Sequence, residues 1–387
     1  MGTGPKITKI EVHEFQFEKQ DITHGNNGGI IYKPGAKSPR TAYAVRIISD
    51  TGISGEYVGG SATDYAALPV FVDYLIGHDA LQRELIYAKV GHATRMNRIG
   101  LAPIDIALWD LAGKYHDAPI HQLLGGYKET LPTYVATLHG EEGDTGGLDS
   151  PESYGDFAQQ CLDLGFPGFK IHGWENGLVS REIETVHNVA DQVGGKMEMM
   201  LDPFNALTTF GDALKLGRAC DEAEYFWYED PFLDMGTSMF AHRKLRQLIK
   251  TPLLISEHIR GVEPHVDFMI AEATDFIRGD VAGEGITGAM KVAHAAEGLG
   301  IDIEFHGPGP EKRQCMAAIR NTNYYELGLV HPKAPASNVH GLYLDYSDDL
   351  DAIDDGGYVP IPNGPGLGVE IDWDWLEAHE TARHILD

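Results

Sequence analysis

Lys170, His172, Asp202, Glu229, Glu257, Asp280, His306 and Glu326 follow one another at the ends of short apolar runs, about 20 to 32 residues from run to run. Asp202, Glu229 and Glu257 close three consecutive runs: MMLD, FWYE and LISE. Three carboxylates brought together repel one another unless a cation lies among them. Hard oxygen donors with positions left for water and substrate suit Mg²⁺, whereas Zn²⁺ favours nitrogen and sulfur. Asp280 and His306 close the next two runs. A carboxylate beside an imidazole fixes its tautomer and raises its basicity, which makes a competent general base or acid near neutral pH.

Lys170 and His172 lie in FPGFKIHGW, Phe166 to Trp174. Alternation along a strand sends Phe169 and Ile171 to one face and the two basic side chains to the other. A buried ammonium needs a partner. Lys170 can serve as a base only if largely neutral, against an unperturbed pKa of about 10.4. Charged, it would bind a substrate carboxylate or pair with acids inside the fold. His172 needs little tuning to act as base or acid. His258, next to Glu257, offers a nitrogen ligand, but alternation turns it away from the face of Glu257, and it reads as structural. Any one carboxylate after a strand is ordinarily a helix cap or a solvated loop residue. Recurrence at seven successive runs is much harder to assign to capping.

The elements that would position these groups are LPTYVATLHG, GFPGFKIHG, KMEMMLDP, YFWYEDP, TPLLISEH, DFIRGD, GIDIEFHG and NYYELGL, with amphipathic stretches between most of them. Eight strand–helix units in series predict a (β/α)8-type barrel, in which the C-terminal strand ends converge on one mouth. Before them, ITKIEVHEFQF, TAYAVRII and ISGEYVGG alternate as strands, and LAPIDIALWDLAGKY reads as a helix with Ile104, Leu108 and Leu111 on one face. The glycine pair in LLGGYKETLP marks a boundary. The expected fold class is therefore α/β: an α+β capping domain over residues 1–125, the barrel over 126–335, and a C-terminal segment, 336–387, that returns to complete the capping domain. The Gly- and Pro-rich GYVPIPNGPGLGVEIDWDW is expected outside the barrel.

A chain of 387 residues, 43% hydrophobic, can bury a large core. Its 58 acidic and 30 basic residues give a formal charge of −28, a field that repels nucleic acid and anionic membranes. An anionic substrate would need a local cation. A high-salt host would also favour such a charge, but an acidic soluble surface explains it equally well. Cys161, Cys220 and Cys315 lack metal-ligand spacing and fit reduced, buried thiols. No apolar run is long enough to span a bilayer, and MGTGPKITKI lacks the apolar core of a signal peptide, so the expected location is cytoplasmic.

The ordered segments LDPFN, WYEDP, LISEH and RGDVAGEGITGAMKVAHAAEGLGIDIEFH, with RIGLAPIDIALWDLAGKYHDAPIHQLLGG before them, resemble the mandelate racemase subgroup of the enolase superfamily over nearly the whole chain. The resemblance implies Asp202, Glu229 and Glu257 as Mg²⁺ ligands, Asp280 and His306 as a His–Asp dyad, and Glu326 as an acid meeting the substrate carboxylate. Lys170 matches the first lysine of the family's Lys-x-Lys element. His172 departs from it, and Phe204 stands where many members carry a polar group, with Asn205 one residue further.

Such sites remove a proton α to a carboxylate with a Lys or His base and a divalent cation. The expected enzyme is a hydro-lyase, a sugar-acid dehydratase (aldonate or aldarate) that eliminates the β-hydroxyl to give a 2-keto-3-deoxy acid. Asp280–His306 would be one partner and His172 or Lys170 the other. A racemase, epimerase or cycloisomerase of a hydroxy acid is the alternative, and a non-catalytic acid-binding barrel the remote one. The polar, glycine-rich loop Gln20 to Lys37 is long enough for a lid, and His24, Tyr57 and Asn205 are candidate substrate contacts. The expected partner is a small-molecule carboxylate, with no nucleic acid or membrane, and the chain is expected to form a homo-oligomer.

Overall fold

The computed structural model describes residues 4–143, 146–334 and 342–387. All eight predicted runs form strands: β4 (Thr130–Thr137), β5 (Gly168–His172), β6 (Glu198–Asp202), β7 (Trp227–Glu229), β8 (Leu253–Ile255), β9 (Phe276–Gly279), β10 (Asp302–Phe305) and β11 (Tyr325–Val330). They are parallel neighbours in chain order from β4 to β10, and β11 comes round to pair with β4. β10 and β11 touch along the remaining side, and Ile303 N of β10 donates at 2.8 Å to Asn321 O in the segment that leads into β11.

The alternation of each strand sorts two kinds of core. Outward residues such as Phe169, Ile171, Leu201, Tyr228 and Ile277 pack under the surrounding helices. Inward, Tyr134, Ala136, Met200, Trp227 and Leu254 form an apolar plug. Above Met200 and Trp227 the next inward residues, Asp202 and Glu229, are charged, and Lys170, Arg278 and Glu326 join them. The barrel is thus sealed below and polar above, as the fold requires for a site at its mouth.

The capping sheet runs in the order β13–β1–β2–β3, from β1 (Ile7–His24), β2 (Ile30–Ser49), β3 (Ser54–Val58) and β13 (Glu380–Leu386). The chain's last strand therefore completes the N-terminal sheet. The Gly- and Pro-rich segment before it differs from expectation: β12 (Tyr358–Pro360) pairs antiparallel with β4, a barrel strand. The 335/336 boundary lies outside the described residues. Gln20–Lys37, expected as a loop, is mostly strand. β1 and β2 stay paired through Ile22–Tyr32 and His24–Ile30, which leaves residues 25–29 as the turn.

The helix Leu101–His116 fastens the two units. Ile104, Leu108 and Leu111 are fully buried, each stabilising the fold by about 1.5–3 kcal/mol. Its buried acids serve as caps for other segments. Asp105 accepts from Thr287 N (2.8 Å) and Oγ1 (2.7 Å) on the barrel helix Val281–Leu299, where Gly285, at φ 70°, breaks the helical path. Asp110 accepts from Glu56 N in β3 and from Leu367 N in the C-terminal segment, both at 2.8 Å. All three cysteines are buried and free. No described helix is long and apolar enough to cross a membrane.

Candidate active site

A cleft of about 560 Å³ opens at the strand C-termini, lined by His172, Asp202, Glu257, Asp280, His306 and Glu326 together with capping residues of the hairpin turn. Parallel register sets His172 beside Asp202. His172 Nδ1 faces Thr137 O at 2.9 Å and its Nε2 faces Asp202 Oδ2 at 3.2 Å, so both ring nitrogens meet acceptors. Burial alone would raise the Asp202 carboxyl, but His172 and Lys170 hold it well below the usual range.

Carboxylate oxygens of Asp202, Glu229 and Glu257 all lie within 4.8 Å of one another. Alternation does not explain the third. Leu254 points inward and Ile255 outward, so Glu257 would point outward on a regular strand. β8 ends at Ile255, and Ser256 takes φ 101°, a left-handed conformation rare for a side-chain-bearing residue. That turn brings both Glu257 and His258 to the cleft. The expectation that His258 faces away is corrected for the same reason: it lines the cleft, with Nε2 3.4 Å from Asn205 Nδ2 and 3.7 Å from Glu257 Oε1. A second oxygen–nitrogen set, Asp230, Glu257 and His258, is also close enough to share an ion. Burial and the neighbouring Glu257 push the Asp230 carboxyl far up, which favours its protonated form and the three-carboxylate set.

Lys170 is fully buried beneath the cleft. Its Nζ lies 2.8 Å from Glu326 Oε1, 2.9 Å from Glu229 Oε2 and 3.8 Å from Asp202 Oδ2. Burial opposes its charge, but the carboxylates hold it well above the ordinary lysine value, which favours the ammonium form. Sequence reasoning missed its counterpart, Arg278 of DFIRGD. Arg278 Nε lies 2.8 Å from Glu229 Oε1, while Nη2 donates to Glu326 Oε2 and Nη1 to Tyr134 Oη at 3.1 Å. The signal was present: Arg278 stands two residues before Asp280, as Lys170 stands two before His172.

These charges give a fit test for a cation. Asp202, Glu229, Glu257 and Glu326 supply four negative charges, and Lys170 and Arg278 supply two positive ones. Burial and acidic neighbours push the Glu229 and Glu257 carboxyls up despite Arg278, so the cluster is short of positive charge. Glu229 Oε1 also has no properly directed hydrogen bond. A divalent cation held by the three carboxylates would balance the set.

His306 Nε2 faces Glu257 Oε1 at 3.4 Å. Burial lowers its imidazole below the usual value against the pull of Glu326 and Asp280, which favours the neutral ring. Asp280 makes no hydrogen bond to His306. Its Oδ2 meets Arg260 Nη1 at 3.0 Å and its Oδ1 caps Ala282 N at 3.0 Å. The dyad is therefore an electrostatic pair here, with Asp280 held below its ordinary value by His306 and Arg260 against its burial.

His24, Gly28 and Ile30 bring the hairpin turn to the cleft. Glu175, in the loop after β5, accepts from Asn27 N and from Gly29 N (3.0 Å), latching the turn to the barrel. His24 Nδ1 reaches Gly28 O at 3.3 Å and its Nε2 accepts from Arg40 at 2.6 Å. Phe204 and Asn205 both adopt positive φ, and Phe204 packs edge-on against His139, 4.4 Å between centroids. His139 closes the β4 run and accepts from Ile30 N at 3.0 Å; it too was missed, although it sits at a strand end like the others. Tyr57 is not in this cleft. It is buried against Glu311, whose Oε1 accepts from Tyr57 Oη at 3.3 Å, and it lines a separate cavity of about 200 Å³.

The model of the enolase C-terminal domain-like family matches residues 153–375, and that of the mandelate racemase/muconate lactonizing enzyme N-terminal domain matches residues 39–125. The chain belongs to the enolase superfamily. Among characterised members, it is 28% identical to D-galactarolactone cycloisomerase of Agrobacterium fabrum over 87% of this chain and 90% of that one. It is 25% identical to D-xylonate dehydratase of Haloferax volcanii, covering 88% and 86% of the two chains. The crystal structure of D-glucarate dehydratase from Agrobacterium tumefaciens complexed with magnesium superposes with a TM-score of 0.89 and 29% identity, over 97% of this chain and 99% of that one. Members of the superfamily similar to this chain thus carry out dehydration and cycloisomerisation.

Proposed function

We propose that this chain is a Mg²⁺-dependent dehydratase of a sugar acid. The observation that carries the proposal is the placement of His172 and His306. They flank the carboxylate triad from β5 and from the end of β10, while Lys170 lies beneath it, paired with Glu229 and Glu326. Mg²⁺ held by Asp202, Glu229 and Glu257 would supply charge stabilisation to the substrate carboxylate as its α-carbon is deprotonated.

The neutral His306 takes the α-proton at its Nε2, with Asp280 and Glu326 stabilising the imidazolium that forms. The pair of electrons left on the α-carbon forms a double bond to the β-carbon as the β-hydroxyl departs. His172, hydrogen-bonded through Nδ1 to Thr137 O, gives that hydroxyl its proton, and water leaves. The resulting enol becomes a 2-keto-3-deoxy acid. The relatives named D-xylonate, D-gluconate and arabinonate dehydratase support dehydration. Racemisation could use the same two histidines, and a relative named N-succinyl-L-Arg/Lys racemase keeps that alternative in the test.

The test is a panel of aldonates and aldarates with Mg²⁺, followed for 2-keto acid and, in D2O, for exchange at the α-carbon. Keto acid that disappears with a chelator and returns with Mg²⁺ is expected. Epimers or α-exchange without keto acid would replace dehydration by racemisation.

A further inference from the structure

The wall of the cleft on the β10 side is the helix Pro310–Ala317, whose second and third residues, Glu311 and Lys312, are 2% and 6% exposed. Lys312 is the only lysine or arginine among the described residues that line the cleft. Its ammonium donates to Glu311 Oε1, the oxygen that also accepts from Tyr57 Oη. Gly309, at φ 152°, makes room for this carboxylate, because a Cβ there would lie 2.6 Å from Glu311 Oε2. Lys312 has no other hydrogen-bond partner among the described residues, so a buried ammonium beside the cleft keeps two N–H groups for a ligand. Its strongest electrostatic neighbours are Glu311, Asp280 and Asp348, and Asp280 is the dyad carboxylate.

We propose that Lys312 and Glu311 together hold a hydroxyl of the substrate at the end remote from the triad, and that the site therefore takes aldonates in preference to aldarates. This rests on the sugar-acid dehydratase reading above. A hydroxyl both donates and accepts, and an ammonium beside a carboxylate offers the matching pair. A second substrate carboxylate would enter where every charge is already met: Lys312 by Glu311, Asp280 by Arg260, and Asp348 by Arg313. It would be a buried charge without a counter-ion. Tyr57, acting through Glu311, is a positioning residue for Lys312.

D-Gluconate and D-glucarate, which share a carbon skeleton and differ at the remote end, form the discriminating pair. Wild type is expected to show kcat/KM for the aldonate at least roughly tenfold above that for the aldarate. Lys312→Met is expected to raise the aldonate KM roughly tenfold with kcat within about threefold, and Lys312→Arg to recover part of the loss. Preference for the aldarate, or an unchanged KM in Lys312→Met, overturns the proposal. If wild type turns over neither acid, the dehydratase reading has failed for this pair, and calorimetric titration of D-gluconate with Mg²⁺ present decides Lys312 separately. Weaker or lost binding by Lys312→Met upholds its role; equal binding, or none by wild type itself, removes it.

Discussion

The mouth of the barrel carries its charges in two tiers. In the lower tier Lys170, Arg278, Glu229 and Glu326 are buried and pair with one another at 2.9 Å or less, and Glu326 also reaches the cleft. In the upper tier His172, Asp202, Glu257, Asp280 and His306 face the cleft. The lower tier is a fixed lattice: each of its cations bridges Glu229 to Glu326, so two carboxylates that would repel are locked in place. The upper tier is short of positive charge and long of acceptors, a state that a divalent cation would relieve. On β5 and β9 the tiers stand two residues apart, Lys170 below His172 and Arg278 below Asp280, and Glu229 joins the lattice to the carboxylate triad.

Breaking the lower tier gives the largest expected effect. Arg278→Met leaves Glu229 and Glu326 with one cation between them, and loss of one partner from a buried ionic network costs about 3–5 kcal/mol. Thermal melting should fall by several degrees, and turnover should fall with it because Glu229 loses the group that aims it. An unchanged melting temperature would show that the lattice is not what holds the site. His306→Asn tests the upper tier alone. The ring is partly open to the cleft, so the melting temperature should hold while turnover falls by roughly 10²–10⁴, the usual contribution of a general base. A stability loss comparable to that of Arg278→Met would erase the distinction between tiers.

The division explains what was legible in the sequence. Period-2 alternation and the recurrence of ionisable strand ends located the eight strands; six of the eight named residues line the cleft, and Lys170 and Glu229 are buried beneath it. The same alternation misjudged His258, because a single positive φ at Ser256 re-aims the two residues after it. It contained Arg278, but a basic residue inside a strand draws no attention until its partners on β7 and β11 are seen. Lys312, and the link that ties Tyr57 to it, were beyond reach for another reason. The two residues meet through Glu311 across 254 residues of chain, a contact fixed by how the capping sheet sits on the barrel. The hairpin turn was found but read as a loop, since its polar strands carry no core-facing pattern.

Glu182 provides the smallest and most selective comparison, a buried carboxylate outside both tiers. It lies behind β5, accepting from Trp174 N at 2.6 Å through one oxygen while the other has no partner. Burial, with Asp202 nearby, pushes its carboxyl up to about 8, from an unfolded value near the ordinary glutamate range. Below about pH 4.5 it is protonated in both states and costs nothing. Between there and pH 8 the unfolded chain ionises while the native carboxyl stays neutral, so its contribution to stability is lost as pH rises, and the loss levels off above pH 8. Glu182→Gln cannot ionise and escapes that loss. Its melting temperature should match wild type near pH 4.5 and exceed it at pH 9 by on the order of 3 °C. A carboxylate paired like Glu326 would give the opposite sign, with stability lost as pH falls. An advantage that is equal at both pH values, or reversed, would mean that Glu182 has found a cation and that the sealed lattice extends behind β5.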